Sequence, residues 1–335
     1  MRRVAVVTGA SAGVGRATVR ALARRGWDLG LIARGSDALK AAAEDALALG
    51  VDAIPLSLDV TDRHEVEKAA DTVANELGPI DAWINNAMTA VFGAFVDVPA
   101  EDFQRVVDVT FHGYVNGTRA ALRHMLPRDR GVIVQVGSAL AYRGIPLQAA
   151  YCASKHAIQG FTDSVRAELG HERRAVYLCE VHLPALNTPQ FRWVKSLLPN
   201  ESQPVPPIYQ PEIAADAIAW VLDHPRREMW VGASTVGTIL ANRIAPGILD
   251  RYLARTGVAS QQTDEPRDPD RPDNLYGPVE GDRGAHGVFG DRASARSSQV
   301  WASKHRAAVA SALAVLGIGA TVSAVRRRSS RPASG

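Results

Sequence analysis

Three residues carry the chemistry this chain could perform. Tyr151 and Lys155 stand four apart in a helical pattern that runs through Phe161 and Val165 to Leu169, so their side chains share one helix face. A phenol ordinarily loses its proton near pH ~10. A neighbouring ammonium favours the phenolate, which would let the tyrosine act as a general acid or base closer to neutrality. Ser138 follows the apolar, β-branched run Val132–Val136, which reads as a buried strand, and its hydroxyl could reach the same substrate oxygen. A Tyr-x-x-x-Lys pair alone is usually surface decoration. The upstream serine and the N-terminal sequence give this one its weight.

At the N-terminus, Val4–Thr8 reads as a strand and Gly9-Ala-Ser11-Ala-Gly13-Val14-Gly15 as the turn into a helix over Arg16–Arg25. Glycines there permit a tight turn and a close approach to a pyrophosphate, whose charge the helix's free N–H groups stabilise. The second strand, Asp28–Ala33, ends at Arg34 with no acidic residue. A carboxylate there would bind the ribose hydroxyls of NAD and repel a 2′-phosphate, whereas Arg34 can form charge-assisted bonds to that phosphate. The reading is therefore NADP(H) rather than NAD(H), against the alternative of a solvated surface arginine.

Thr8-Gly9-x-x-x-Gly13-x-Gly15, taken with Ser138 and Tyr151-x-x-x-Lys155, resembles the short-chain dehydrogenase/reductase family over roughly residues 1–235. The resemblance implies an NAD(P)-dependent interconversion of an alcohol and a carbonyl, and commonly a homo-oligomer. It implies further cofactor contacts: Asp59 and Val60 at the adenine, Asn86 and Ala87 closing the fourth strand, and Pro184 and Thr188 covering the nicotinamide. Met88 and Ala185 stand where glycines are usual. The family often adds an asparagine to its catalytic set, and in Asp108-Val-Thr110-Phe-His-Gly113 that place is held by Thr110. Its hydroxyl could hold a water in the proton path, or the relay could run through backbone carbonyls. Alternatively, Thr110 only packs its helix.

These residues need a frame. Helical patterns at Asp37–Leu49, Asp62–Leu77 and around Val106–Leu122 alternate with strands at Ala53–Leu58, Asp81–Asn85, Val176–Val181 and Met229–Val231. Such alternation requires right-handed crossovers and predicts an α/β, doubly wound parallel sheet, Rossmann-like, with the motifs gathered at one edge. An apolar share of 46% is ample for a core, and a net charge of +3, with no basic run interleaved with aromatics in the first 260 residues, argues against nucleic-acid binding. The 9 histidines show no metal-ligand spacing, and Cys152 and Cys179 form no framework, so no metal is expected and a reducing, cytoplasmic setting is.

Between Thr188 and Glu212 a proline-rich segment carries Phe191, Trp193, Val194, Leu197 and Leu198, which with Val91 and Phe92 would line a cleft for an apolar substrate or pack a lid onto the body. The catalytic domain is expected over 1–257. Residues 258–303, rich in Pro, Gly, Asp and Arg, read as an extended or disordered linker. Residues 304–335 hold an apolar stretch, 307–325, flanked by basic clusters; as a helix it would reach ~28 Å and could anchor the chain in a membrane or pack on protein. The competing functional reading is a nucleotide-occupied binding or scaffold protein tethered by that tail. The intact Ser/Tyr/Lys set argues against it.

Overall fold

A computed structural model describes residues 2–307 and 309. Strands β1 (Arg3–Thr8), β2 (Trp27–Ala33), β3 (Ala53–Ser57), β4 (Ile80–Asn85), β5 (Gly131–Ser138), β6 (Val176–Leu183) and β7 (Glu228–Trp230) form a 7-stranded sheet. Every pairing is parallel, in the order β7-β6-β5-β4-β1-β2-β3. From β1 the chain winds outward through β2 to β3, then crosses back and continues through β4 to β7. The reversal opens a crevice at the carboxyl ends of β1 and β4, where a doubly wound sheet binds its ligand.

Strand periodicity divides the core in two. Ala5 and Val7 of β1 join Leu29 and Leu31 of β2 against helices α1 (Gly13–Ala23), α2 (Ser36–Ala48) and α7 (Pro211–Asp223). Val4, Val6 and Ile32 turn to the other face, against α3 (Arg63–Glu76), α5 (Gly113–Met125) and α6 (Ala149–His171). Alternation with period two is what a strand between two helical layers demands. The helical stretch around Val106–Leu122 is real but interrupted: α4 (Ala100–Val107) passes into α5 through a π-helical turn, Asp108–His112. After β7 the chain forms two further helices that the periodicity did not mark, α8 (Ala233–Ile244) and α9 (Pro246–Thr256).

The expectation of a disordered linker over 258–303 is corrected. Gln262–Pro266 pairs antiparallel with Asn200–Ser202, Ala293–Ser294 pairs with Ile208–Tyr209, and Ser298–Lys304 forms a last short helix, α10. The segment contains few large apolar residues, but Leu275, Ala285, Phe289 and Val300 are each buried. Backbone hydrogen bonds and the side chains of Arg267, Arg271 and Tyr276 tie it further to the body, through partners that composition does not reveal. Among the described residues no helix is long and apolar enough to cross a membrane. The apolar stretch 307–325 lies almost wholly outside them.

Candidate active site

A cavity of about 670 Å³ opens at the crevice, within the range typical of small-molecule sites. Its wall includes Gly9, Ser11, Gly13, Val14, Arg34, Asp59, Val60, Asn86, Ala87, Ser138, Tyr151, Lys155, Pro184 and Thr188. The topology thus brings together residues that lie more than a hundred positions apart in the sequence.

The glycine-rich turn is built for close approach. Gly13 has φ +56, a conformation that a side chain disfavours, and a Cβ on Gly15 would overlap the carbonyl oxygen of Gly9. The Val14 and Gly15 N–H groups open α1 and find no backbone acceptor among the described residues, leaving them for an anion. Asn86 braces this turn: its amide donates to the Thr8 and Gly9 carbonyls at 3.0 and 3.2 Å, while the Asn86 and Ala87 N–H groups donate to Thr8 Oγ1. Free N–H groups, a steric cradle and a cavity of this size fit a dinucleotide.

At the end of the cavity expected to take adenosine, Asp59 accepts from Thr61 N and Oγ1 at 3.0 and 2.9 Å and pairs with Arg105. Burial alone would raise its carboxyl; Arg105 and Thr61 outweigh that and hold it below the usual range. Arg34 is not a solvated surface side chain. Its guanidinium donates to the Leu275 carbonyl at 3.2 Å and to the Asn274 carbonyl, both from the C-terminal extension. Two of the five donors that a guanidinium offers are thereby used.

On the catalytic side, β5 delivers Ser138 at its end and α6 delivers Tyr151 and Lys155 one turn apart. Ser138 Oγ accepts from Leu140 N at 3.1 Å, which orients the hydroxyl. Lys155 is buried, and its Nζ donates to the Val136 carbonyl at 2.7 Å and to Tyr114 Oη at 3.0 Å; Tyr114 Oη in turn donates to Val136 O at 3.0 Å. The ammonium sits 5.6 Å from the centre of the Tyr151 ring. Burial governs both titrations, disfavouring ammonium and phenolate alike: Lys155 is lowered to about 7, and the Tyr151 phenol is pushed up, hydrogen bonding with Ser138 opposing part of the rise. The helix spacing alone pointed to a lowered phenol. It could not register how dry the site is.

Thr110 is placed differently from the other candidates. It lies in the π-helical turn, fully buried; its hydroxyl donates to the Thr89 carbonyl at 3.0 Å and accepts from the Thr89 N–H at 3.1 Å. The cavity wall contains Thr89 and not Thr110. Sequence reasoning passed over Tyr114, one turn beyond Thr110, which reaches Lys155 directly.

Over the far end of the cavity, Phe92, Phe191, Trp193 and Val194 face the space, joined by Leu249, Tyr252 and Leu253 of α9. Phe191 packs edge-on to Phe92 and Phe289, with ring centroids 6.4 and 5.9 Å apart. Leu198 and Val91 are buried in packing instead, and Leu197 is exposed, so only part of the expected apolar set lines the cleft. Among the described residues no cluster of metal-ligating side chains occurs.

Comparison with known proteins agrees with this architecture. The family model for short chain dehydrogenases matches residues 3–195. Uncharacterized oxidoreductase YxnA of Bacillus subtilis is 33% identical over 330 residues, which is 97% of this chain and 91% of that protein. Probable oxidoreductase EphD of Mycobacterium tuberculosis is 42% identical over 164 residues, 49% of this chain and 28% of that one. The solved structure of an alcohol dehydrogenase from Thermococcus sibiricus complexed with 5-hydroxy-NADP matches with a TM-score of 0.60 and 27% identity, over 69% of this chain and 95% of that one. A short chain dehydrogenase from Mycobacterium paratuberculosis bound to NAD shares the fold, with a TM-score of 0.59 and 24% identity over 68% and 96% of the two chains. A family match over more than half of the sequence and a relative aligned along nearly its whole length lead to one conclusion: this chain belongs to the short-chain dehydrogenase/reductase family of oxidoreductases.

Proposed function

We propose that the protein interconverts an alcohol and a ketone or aldehyde of apolar character, using NADP(H). The observation that carries this reading is the convergence of Ser138, Tyr151 and Lys155 on one cavity with the glycine-rich turn. Tyr151 is the general acid that donates its proton to the carbonyl oxygen during reduction and takes it back during oxidation. A phenol raised by burial stays protonated at neutral pH, as that acid must. Ser138 donates a hydrogen bond to the same oxygen and fixes the carbonyl against the phenol. Lys155 bears on the ribose of the nucleotide and sets the field at Tyr151.

Val14 and Gly15 N–H groups would hold the diphosphate, Arg34 the 2′-phosphate, Asp59 and Val60 the adenine, and Pro184 and Thr188 the nicotinamide. When bound, the cofactor supplies or accepts the hydride. The chain's own residues bind the substrate, exclude water and move the proton. Phe92, Phe191, Trp193 and Val194 supply apolar contact worth ~0.8 kcal/mol per buried methylene of substrate.

Turnover of NADPH with a panel of carbonyl compounds tests the reading. Activity should rise with the hydrophobic size of the carbonyl, and Tyr151→Phe should lower kcat by ~10²-fold or more with nucleotide affinity nearly unchanged. Wild-type kcat in Tyr151→Phe, on a substrate whose chemical step limits the rate, would remove the acid assignment. Better kcat/KM for small charged oxoacids would remove the substrate class.

A further inference from the structure

The family match ends at residue 195, yet part of the cavity wall comes from far beyond it. Asn274, Pro278, Val279, Gly281 and Arg283 line the same space as Gly13, Val14, Arg34 and Asp59. We propose that residues 273–287 form a strap that is an integral part of the dinucleotide site, retaining the bound nucleotide and placing Arg283 at its diphosphate. The proposal rests on the nucleotide reading given above.

Three attachments define the strap. At its start, Leu275 is fully buried, and the Asn274 and Leu275 carbonyls accept from Arg34, with Arg105 Nε also donating to Leu275 O at 3.1 Å. In the middle, the Gly284 carbonyl accepts from the Gly13 N–H at 3.0 Å, so the strap docks on the glycine-rich turn itself. At its end, the Gly287 N–H donates to the Asn187 carbonyl at 3.2 Å, and a Cβ on Gly287 would collide with the Thr188 carbonyl. The strap thus touches the segments proposed for the 2′-phosphate, the diphosphate and the nicotinamide.

The strap carries Asp273, Glu280 and Asp282 against Arg283, but of these four only Arg283 lines the cavity, and it is this placement that suits a phosphate-bearing ligand. Arg283, exposed and adjacent to the docked Gly284, is the only arginine between Pro272 and Gly290. The neighbouring carboxylate of Asp282 is drawn away by Arg16, at 3.4 Å. Arg283 Nε donates only to Glu280 O at 3.3 Å, and its other donors find no protein partner among the described residues. Ala285, 1% exposed, plugs the strap between Ala17 of α1 and Ala215 of α7. Between the plugs at Leu275 and Ala285 the backbone is mostly exposed, with Gly281 at φ +77 and Gly284 at φ +61. For this segment to lift while both of its ends stay seated, the Gly13–Gly284 and Tyr276–Asp102 hydrogen bonds and the Arg16–Asp282 pair must break.

Fluorescence titration with NADPH and with NADH, on the full chain, tests the contact. Arg283→Ala should weaken both nucleotides alike, by about tenfold, because both carry the diphosphate. Ala285→Glu cannot seat its carboxylate between two alanines, so the strap should undock and NADPH should dissociate at least tenfold faster in stopped-flow displacement. Wild-type affinity in the first variant, or a wild-type dissociation rate in the second, overturns the strap while leaving the oxidoreductase reading intact. Absence of nucleotide binding by the unaltered protein overturns both.

Discussion

Lys155 Nζ lies 3.0 Å from Tyr114 Oη, and both atoms share the Val136 carbonyl. The triangle joins α5, α6 and β5, with Tyr114 buried behind Val136 and Lys155, which both line the cavity. The phenol oxygen accepts from the ammonium and donates its own hydrogen bond to a backbone carbonyl. Tyr114 is therefore a positioning residue for Lys155, and it occupies the neighbourhood where Thr110, turned to Thr89, supplies nothing to the cavity.

Tyr114→Phe should expose that role. Loss of the phenol leaves the buried ammonium with one protein acceptor in place of two, and a hydrogen bond to a charged group contributes ~1.5–3 kcal/mol. The ammonium becomes harder to hold, Lys155 falls further below about 7, and less positive charge faces Tyr151 near neutrality. The acid limb of the pH profile for alcohol oxidation should move alkaline by about one unit, with neutral-pH kcat down ~10-fold and nucleotide KM little changed. A residue that merely packs would lower the melting temperature and leave the limb in place. An unmoved limb would therefore reduce Tyr114 to a structural side chain.

Local relationships in this fold were legible and distant ones were not. Tyr151 and Lys155 are one helical turn apart, and the glycine turn sits between a strand and a helix, so spacing alone places them. Tyr114 meets Lys155 only because two helices cross one sheet, which no local pattern encodes. The extension escaped for a different reason. Its anchors are single residues such as Leu275 and Ala285, separated by Pro, Gly and Asp, and its adhesion combines carbonyls at 274, 275 and 284 with the side chains of Arg267, Arg271 and Tyr276, whose partners lie far away in the sequence. Composition counts residue types and not their partners, so a segment held by scattered single contacts looks disordered.

Arg34, the residue proposed to read the 2′-phosphate, shows the same lesson. Burial pulls its guanidinium down while Asp59 opposes and Arg105 adds to the fall, but an arginine remains charged throughout. Two carbonyls fix the side chain, so its remaining donors are held in place for the 2′-phosphate contact proposed above. Arg34→Ala should weaken NADPH by ~10–100-fold and NADH much less. Aspartate is the poorer test, because its carboxylate would confront the Asn274 and Leu275 carbonyls and disturb the strap. An unchanged ratio of NADPH to NADH dissociation constants in Arg34→Ala would dismiss the arginine as the phosphate reader.

Lys155 also makes a prediction about stability that needs no substrate. Its amine ordinarily titrates near 10.5, and burial lowers it to about 7 in the folded protein. Above 10.5 the lysine is neutral in both states and folding carries no penalty from it. As pH falls from 10.5 toward 7 the unfolded chain takes up the proton and the folded one does not, so stability is lost across that window, by up to ~1.4 kcal/mol per pH unit. Below about 7 both states are protonated and the loss is complete. Lys155→Met removes the titration. Denaturant unfolding of nucleotide-free protein at intervals from pH 7 to 10 should show the wild type gaining on the methionine variant as pH rises. Equal pH slopes would show that Tyr114 and Val136 solvate the ammonium as well as water does, and the opposite slope that they do so better.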